Sequence, residues 1–355
     1  MPNHKGREVG MRAAVLRAFG GPEGLVIGEV PSPAPGPGEA LVRVRTVCVN
    51  RTDLHVMHRT NIGRNATLPH ISGVDPAGEV VAVADDVTTL RPGDRVVARP
   101  MIPCLACRFC TSERESMCER PVYIGVHRPG GFGELVALPA RVLYAVPDEL
   151  PLVAASAMAH SVPIALHLVR TVGQVGAGDL VLVVGAAGGV GLAAAQVART
   201  LGATVIAAAR STERLAAIAD HADELVAYDD PAELPARIRA LSGGFGASVA
   251  VDNVGDPALW PHVVASLDKG GRILSAGSHA GSTMPLDLPL FYRMQLRLLA
   301  TAGFSDAEFR DALALVASGR VEAVVHAEYP LSAIREPFEV MIARGNVGKL
   351  VVHVS

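Results

Sequence analysis

The chain has 355 residues, half of them hydrophobic, and a formal net charge of −3. That length is too great for one small core, so two domains are expected, and the mild negative charge favours neither nucleic acid nor a membrane surface as partner. No run of about 18 uninterrupted apolar residues occurs, so no membrane span is expected and a small molecule is the expected partner.

Met1–Gly10 is polar and lacks the apolar segment of an export signal, so it reads as a flexible extension on a cytoplasmic protein. From Met11 to about Val47, short strand candidates are separated by turn residues, with Pro31–Gly38 as a rigid connector before Ala40–Val47. Strand signals recur at Gly78–Val83, Asp94–Ala98 and Gly133–Ala137, the pattern of a compact, mostly β unit. Cys48 alternates with Val47 and Val49 and reads as a small core residue rather than a nucleophile. Within the same unit, Cys104, Cys107, Cys110 and Cys118 fall at the spacing C-x2-C-x2-C-x7-C. Four thiolates fill a tetrahedral zinc shell and leave no position for substrate. One structural zinc per chain is therefore expected in preference to disulfides or an iron–sulfur cluster.

After about Met158 the rhythm changes. Strand candidates at Leu180–Val184, Thr204–Ala208, Glu224–Ala227, Ser248–Val251 and Arg272–Ala276 alternate with helical stretches, the signature of a parallel sheet built from βαβ units. The first of these strands runs into Gly185, Gly188 and Gly191, with Gly189 and Val190 between them, and then into the helix former Leu192–Leu201. Glycines at this spacing let backbone N–H groups and a helix N-terminus close on a pyrophosphate, so a dinucleotide is the expected ligand. The second strand ends at Ala209 where a carboxylate would select a free ribose 2′-hydroxyl. Arg210 and Ser211 follow, and a guanidinium and a hydroxyl suit a 2′-phosphate, so the expected cofactor is NADPH. Asp252–Gly255 and Ser275–Ser278 lie at the carboxyl ends of later strands, which makes Asn253, Ala276 and Gly277 further cofactor candidates. The last stretch holds a helix at Asp306–Ser318 and ends in Gly348–His353.

Taken together, the cysteine lobe, Gly73-Val-Asp-Pro-Ala-Gly78, Pro92–Val96, Gly130–Glu134, the loop Gly185–Gly191 and Gly348-Lys349 resemble the medium-chain dehydrogenases/reductases, the superfamily of zinc-containing alcohol dehydrogenases and quinone oxidoreductases. The resemblance covers nearly the whole chain from Met11. It implies an α/β protein with a GroES-like β domain over residues 1–157, a Rossmann doubly wound domain over 158–303 and a C-terminal return to the first domain over 304–355. It also implies a homodimer or homotetramer, and contacts to cofactor from Arg51, Lys349 and Asn346.

In the alcohol dehydrogenases of this superfamily a catalytic zinc is held by a cysteine ahead of a Ser/Thr-Asp pair, a histidine in Gly-His-Glu, and a later ligand. Here Asn50 precedes Thr52-Asp53, and Val74 stands in the second motif, while His160 falls near the third position. An amide and a valine are not zinc ligands, so the resemblance implies a structural zinc kept and a catalytic zinc lost, unless His160, Asp75 and His55 rebuild a site. Without a Lewis acid to hold an alkoxide, hydride delivery to an activated double bond of an enone or quinone is the expected reaction. The rival expectations are a zinc alcohol dehydrogenase with altered ligands and a nicotinamide-binding protein without turnover. Thr52 and His55 match the hydroxyl and histidine of the alcohol dehydrogenase proton relay. Asn50 is a candidate donor to a carbonyl or a helix N-cap, Asp53 a structural carboxylate, and His160 a packed histidine ahead of a helix or a catalytic one. Tyr123 and His127, after the cysteine lobe, are candidates for the cleft wall.

Overall fold

The computed structural model describes residues 10–277, 279–281 and 283–355. The extension expected at Met1–Gly10 lies outside these, apart from Gly10, which opens the first strand. β1 (Gly10–Leu16) and β2 (Leu25–Pro31) form an antiparallel pair. Beside it stands a larger sheet begun by β3 (Glu39–Cys48), whose Ala40, Val42 and Val44 are buried while Arg43 points to solvent, the period-two pattern of a half-covered strand. α1 (Arg51–His58) separates it from β4 (Ala77–Val83) and β5 (Arg95–Ala98). β6 (Met101–Ile102) and β7 (Val122–Tyr123) pair across the base of the cysteine lobe, and β8 (Leu135–Pro139) and β9 (Leu143–Ala145) join β3 and β5.

α2 (Leu152–Leu166) joins the two halves. It packs on β3, β4 and β5 on one side and on helices of the second half on the other. The helical run Leu152–Val172 has the length and apolarity of a membrane span but is mostly buried inside the protein, as a helix covered on all sides must be. Burying its Met158, Val162 and Leu166 stabilises the folded chain by roughly 1.5–3 kcal/mol each.

The second half is a parallel sheet of β10 (Leu180–Val184), β11 (Thr204–Ala209), β12 (Glu224–Ala227), β13 (Ala247–Asp252), β14 (Leu267–Ser275) and β15 (Arg297–Ala300), in the order β12-β11-β10-β13-β14-β15. This is the doubly wound dinucleotide order. Helices α3 (Gly189–Thr200), α4 (Thr212–Ala216), α5 (Leu234–Leu241), α6 (Trp260–Ala265) and α7 (Leu288–Met294) connect the strands. α8 (Asp306–Ala317) was expected in the returning segment. It packs instead on α2, with Phe309 and Ala312 in the core shared with β10 and α3. The chain re-enters the first sheet only at β16 (Val325–Pro330) and, after α9 (Arg335–Ile342), at β17 (Lys349–His353). That sheet then reads β16-β17-β3-β4-β5-β9, with β8 also on β3.

Candidate active site

β10 lies between β11 and β13, where the strand order reverses, and ligands of open parallel sheets bind at the carboxyl ends of strands there. A cleft of about 850 Å³ opens at that point, between the parallel sheet and the β-rich half. Arg51, Gly185, Gly188, Gly189, Val190, Gly191, Arg210, Ser211, Asn253, Ala276, Gly277 and Lys349 all line it, as do Asn50, Thr52, His55 and His160. Ser278 lies outside the described residues.

The glycine loop is built by close approach. Gly185 takes a φ of 66°, and a Cβ there would meet Val254 Cγ2 at 2.6 Å, while a Cβ on Gly191 would meet the Gly185 carbonyl oxygen at 2.6 Å. Only glycine satisfies both positions. α3 can therefore begin at once, at Gly189, and its first-turn N–H groups, which have no helical partners, border the cleft in an arrangement that could cradle a phosphate. At the carboxyl end of β13, Asn253 Oδ1 accepts the Ala276 N–H at 2.8 Å, tying β13 to β14, while its buried Nδ2 has no partner among the described residues.

Positive charge gathers around this cradle. Arg210 is exposed at the end of β11; Arg214, on α4, donates to the Asn346 carbonyl at 2.8 Å; Arg51 and Arg344 complete the group. Burial and mutual repulsion lower the pKa of Arg51 and Arg214, with Arg344 acting on both and Arg210 on Arg214. Ser211 caps α4, its Oγ accepting the Arg214 N–H at 3.2 Å and donating to Glu213 Oε2 at 2.8 Å. The sequence reading found Arg51 and Arg210. It missed Arg214, although a residue four places along a helix was the available signal, and Arg344, which only the packing after α9 brings to the cleft.

The other end of the cleft is set by strand register. β17 runs antiparallel to β3, with Val351 opposite Cys48 and the Val49 N–H on the Leu350 carbonyl, so Lys349 falls opposite Asn50. Lys349 Nζ donates to Asn50 Oδ1 at 2.5 Å and lies 3.5 Å from Asp75 Oδ2. Asn50 Nδ2 donates to Asp75 Oδ2 at 2.9 Å and to the Cys48 carbonyl at 3.2 Å, and Asp75 Oδ1 accepts the Cys48 N–H at 2.9 Å. Burial pushes the Asp75 pKa up, against the lowering pull of Lys349 and the Asn50 amide. Both amide hydrogens of Asn50 are spent inside the protein, which corrects the expectation of a donor to a substrate carbonyl. Asn50 is the N-cap of α1, in extended backbone, the other role expected of it; Asp53, three residues on, closes the capping box by accepting the Asn50 N–H at 2.8 Å and also accepts the Gly73 N–H at 2.9 Å, as befits a structural carboxylate.

His160 lies within α2 rather than ahead of a helix, because the helix runs on through Pro163. Its imidazole lines the cleft, and burial with the nearby charges of Lys349 and His279 pushes its pKa down to about 3, so it is neutral. His55 Nδ1 sits 3.0 Å from Thr60 Oγ1, and burial, Arg51 and His58 lower its pKa. It is a neutral imidazole able to pass a proton along rather than a store of imidazolium at pH 7. Tyr123 lines the cleft; His127 instead accepts the Tyr123 N–H at 3.0 Å and lies in the loop.

The cysteine lobe stands outside the cleft. The sulfurs of Cys104, Cys107, Cys110 and Cys118 lie within 4.8 Å of one another, with Cys107–Cys110 at 3.5 Å and Cys104–Cys110 at 3.9 Å. Zinc–sulfur bonds of ~2.3 Å in a tetrahedron require edges of about 3.8 Å, so the four fit one zinc. Backbone N–H groups of Ala106 and Cys107 aim at Cys104 and pull its pKa down to about 6, the thiolate form a metal needs. Among the described residues this is the one such grouping of His, Cys, Asp and Glu, so His160, Asp75 and His55 do not converge on a second site. Cys48 is buried, its thiol pushed up by burial, as a core residue.

The family model described as alcohol dehydrogenase GroES-like domain matches residues 36–148, and that described as zinc-binding dehydrogenase matches residues 189–318. The chain is 30% identical to the L-galactonate-5-dehydrogenase of Escherichia coli K12, over 90% of this chain and 92% of that one. It is 29% identical to the acryloyl-coenzyme A reductase of Metallosphaera sedula, over 96% and 99%. A crystal structure of an NAD-dependent alcohol dehydrogenase superposes with a TM-score of 0.92 at 35% identity, over 97% of this chain and all of that one.

Proposed function

The chain belongs to the medium-chain dehydrogenase/reductase superfamily and is an oxidoreductase, and from that premise we propose that it is an NADPH-dependent reductase of activated carbon–carbon double bonds that works without a catalytic zinc. The observation that carries this reading is the closed network of Asn50, Asp75 and Lys349 in the place where the superfamily's alcohol dehydrogenases hold their metal. Asn50 has no free donor or thiolate to offer, and Val74 beside it is buried hydrocarbon. The relative that reduces acryloyl-coenzyme A supports a substrate whose double bond is conjugated to a carbonyl, with enones and quinones as the wider class.

NADPH supplies the hydride when bound. The glycine loop would hold its pyrophosphate, Arg51, Arg210, Arg214 and Arg344 would balance its phosphate charge, and Asn253 Nδ2, without a partner among the described residues, would donate to the cofactor. Thr52 and His55 provide a route for a proton from solvent through Thr60. The four cysteines would hold one structural zinc that pins the lobe and takes no part in the chemistry. We further propose a cytoplasmic homodimer or homotetramer assembled through the exposed edge strand β15, with no nucleic acid or membrane partner.

The test is NADPH oxidation across a panel of enones, quinones and enoyl thioesters, set against NADP-dependent oxidation of alcohols, with zinc measured on the same preparation. Alkene or quinone reduction with about one zinc per chain is expected. Alcohol oxidation with about two zinc ions per chain would establish the rival zinc dehydrogenase, and cofactor binding without turnover on either panel would leave a binding protein.

A further inference from the structure

Lys349 has a side chain that reaches further than a phosphate ligand needs to. Its stem crosses the glycine loop, so close that a Cβ on Gly189 would meet Lys349 Cδ at 3.0 Å, and its head continues past the loop into the wall of β3. There the Lys349 side chain is 8% exposed, its ammonium 3.5 Å from the fully buried Asp75 carboxylate and 2.5 Å from Asn50 Oδ1. An ammonium carries three hydrogens. One is taken by Asn50 and one faces Asp75. The third is unspent among the described residues, and Lys349 lines the cleft beside Ser161 and the neutral His160.

Resting on the double-bond reductase reading above, we propose that Lys349 is a catalytic residue: its ammonium is the fixed hydrogen-bond donor for the substrate's carbonyl oxygen, in the place a catalytic zinc would otherwise fill. Hydride from the nicotinamide adds to the β-carbon of the conjugated alkene, the carbon–carbon π pair shifts toward the carbonyl, and negative charge develops on its oxygen. Lys349 Nζ–H donates to that oxygen and keeps its proton. The enolate then collapses and its α-carbon takes a proton from water by way of His55. Asn50 and Asp75 act as positioning residues: the amide fixes the direction of the ammonium, and the carboxylate keeps the pair neutral overall so that a buried cation is tolerated. Phosphate binding is left to the loop N–H groups and the arginines.

The roles of carbonyl donor and phosphate ligand separate cleanly in Lys349→Met. With saturating NADPH, kcat on an enone is expected to fall by ~10²–10³, the loss of one oxyanion donor. The NADPH dissociation constant, followed by quenching of protein fluorescence, is expected to move less than about threefold. The carbonyl stretch of a ¹³C-labelled enone bound with NADP⁺, which cannot turn over, is expected at lower wavenumber in the native protein and to lose that shift in the variant. Should Lys349→Met fold poorly because Asp75 is left unpaired, Lys349→Met/Asp75→Asn removes both charges together and carries the same expectations. A native enzyme that reduces enones, paired with variants whose kcat recovers at high NADPH while NADPH affinity falls tenfold or more, would make Lys349 a phosphate ligand and overturn this inference alone. A native protein without turnover on the alkene and quinone panel would overturn the reading beneath it as well.

Discussion

Replacing Arg210 with alanine tests the choice of cofactor. Arg210 is exposed at the carboxyl end of β11, and none of its side-chain nitrogens has a protein partner among the described residues; Arg214, by contrast, is tied to the Asn346 carbonyl and Ser211 to Glu213. Its removal therefore takes away a ligand without breaking an internal bond. A charge-assisted hydrogen bond to phosphate is worth roughly 1.5–3 kcal/mol, and an exposed guanidinium in physiological salt belongs at the low end. About 1.5 kcal/mol corresponds to a loss of about tenfold in NADPH affinity, with NADH affinity unchanged because it has no 2′-phosphate to lose. Equilibrium titration of both cofactors at one ionic strength reads the ratio directly. Glu213 sits beside the same position, and in an NADPH site it opposes the 2′-phosphate, so Glu213→Gln is expected to tighten NADPH by a few-fold. An Arg210→Ala variant with an unaltered NADPH-to-NADH ratio would refute the assignment, and NADH affinity lost in Glu213→Gln would show that its carboxylate serves a free ribose hydroxyl instead.

Three further expectations follow from the packing. Gly191→Ala places a Cβ 2.6 Å from the Gly185 carbonyl, backbone against backbone, so cofactor binding should be abolished while circular dichroism retains the folded signature. Arg99, 2% exposed, bridges Glu115 of the cysteine lobe at 2.6 Å and the Phe304 carbonyl at 2.7 Å; Arg99→Ala strands a partner charge and should cost ~3–5 kcal/mol in urea unfolding, with early proteolysis between residues 103 and 120. Burial works to raise the Glu308 pKa, but bonds from His167, the Ser305 N–H and Thr171 outweigh it and hold the carboxyl at about 2. A depressed acid contributes stability above its unfolded pKa of 4.5 that is lost as pH falls from there toward 2, on the order of 2 kcal/mol after allowance for partial solvation, and Glu308→Gln should flatten that acid limb of the stability curve.

Features that depend on neighbours in sequence were legible from it. Leu180–Val184 is an unbroken β-branched and leucine run because both faces of β10 are covered, and the glycines after it are where two backbones touch; each signal is complete within a dozen residues. The cysteine lobe is as local, since a metal closes it without help from a distant core. α2 was harder. A helix buried between two halves has no polar face, so it lacks the 3.6-residue period that reveals most helices, and Pro163 looks like a helix start when it lies inside one. Hence His160 reads from sequence as lying ahead of a helix when it lies within one. Lys349 and Asn50 are 299 positions apart, and their meeting depends on the register of β17 against β3, which no local pattern encodes.

That register also bears on which reaction the cleft favours. A zinc ion stabilises a full alkoxide because it brings two positive charges into direct contact with oxygen and lowers the pKa of what it binds. The Lys349–Asp75 pair carries no net charge, so it offers a directed hydrogen bond and little long-range field. Such a donor is well matched to an enolate, whose charge is already spread over oxygen and carbon, and poorly matched to the localised charge of an alkoxide, which would also draw the ammonium away from its carboxylate. Moving Asn50 back to cysteine would not restore alcohol chemistry by itself: the thiolate would lie against the Lys349 ammonium, form an ion pair with it, and still lack the ligand that Val74 fails to supply. The expected result for Asn50→Cys is loss of enone reduction with no gain in alcohol oxidation or bound zinc, measured on one preparation. A second zinc per chain in that single variant would show that the polar network does not keep the metal out.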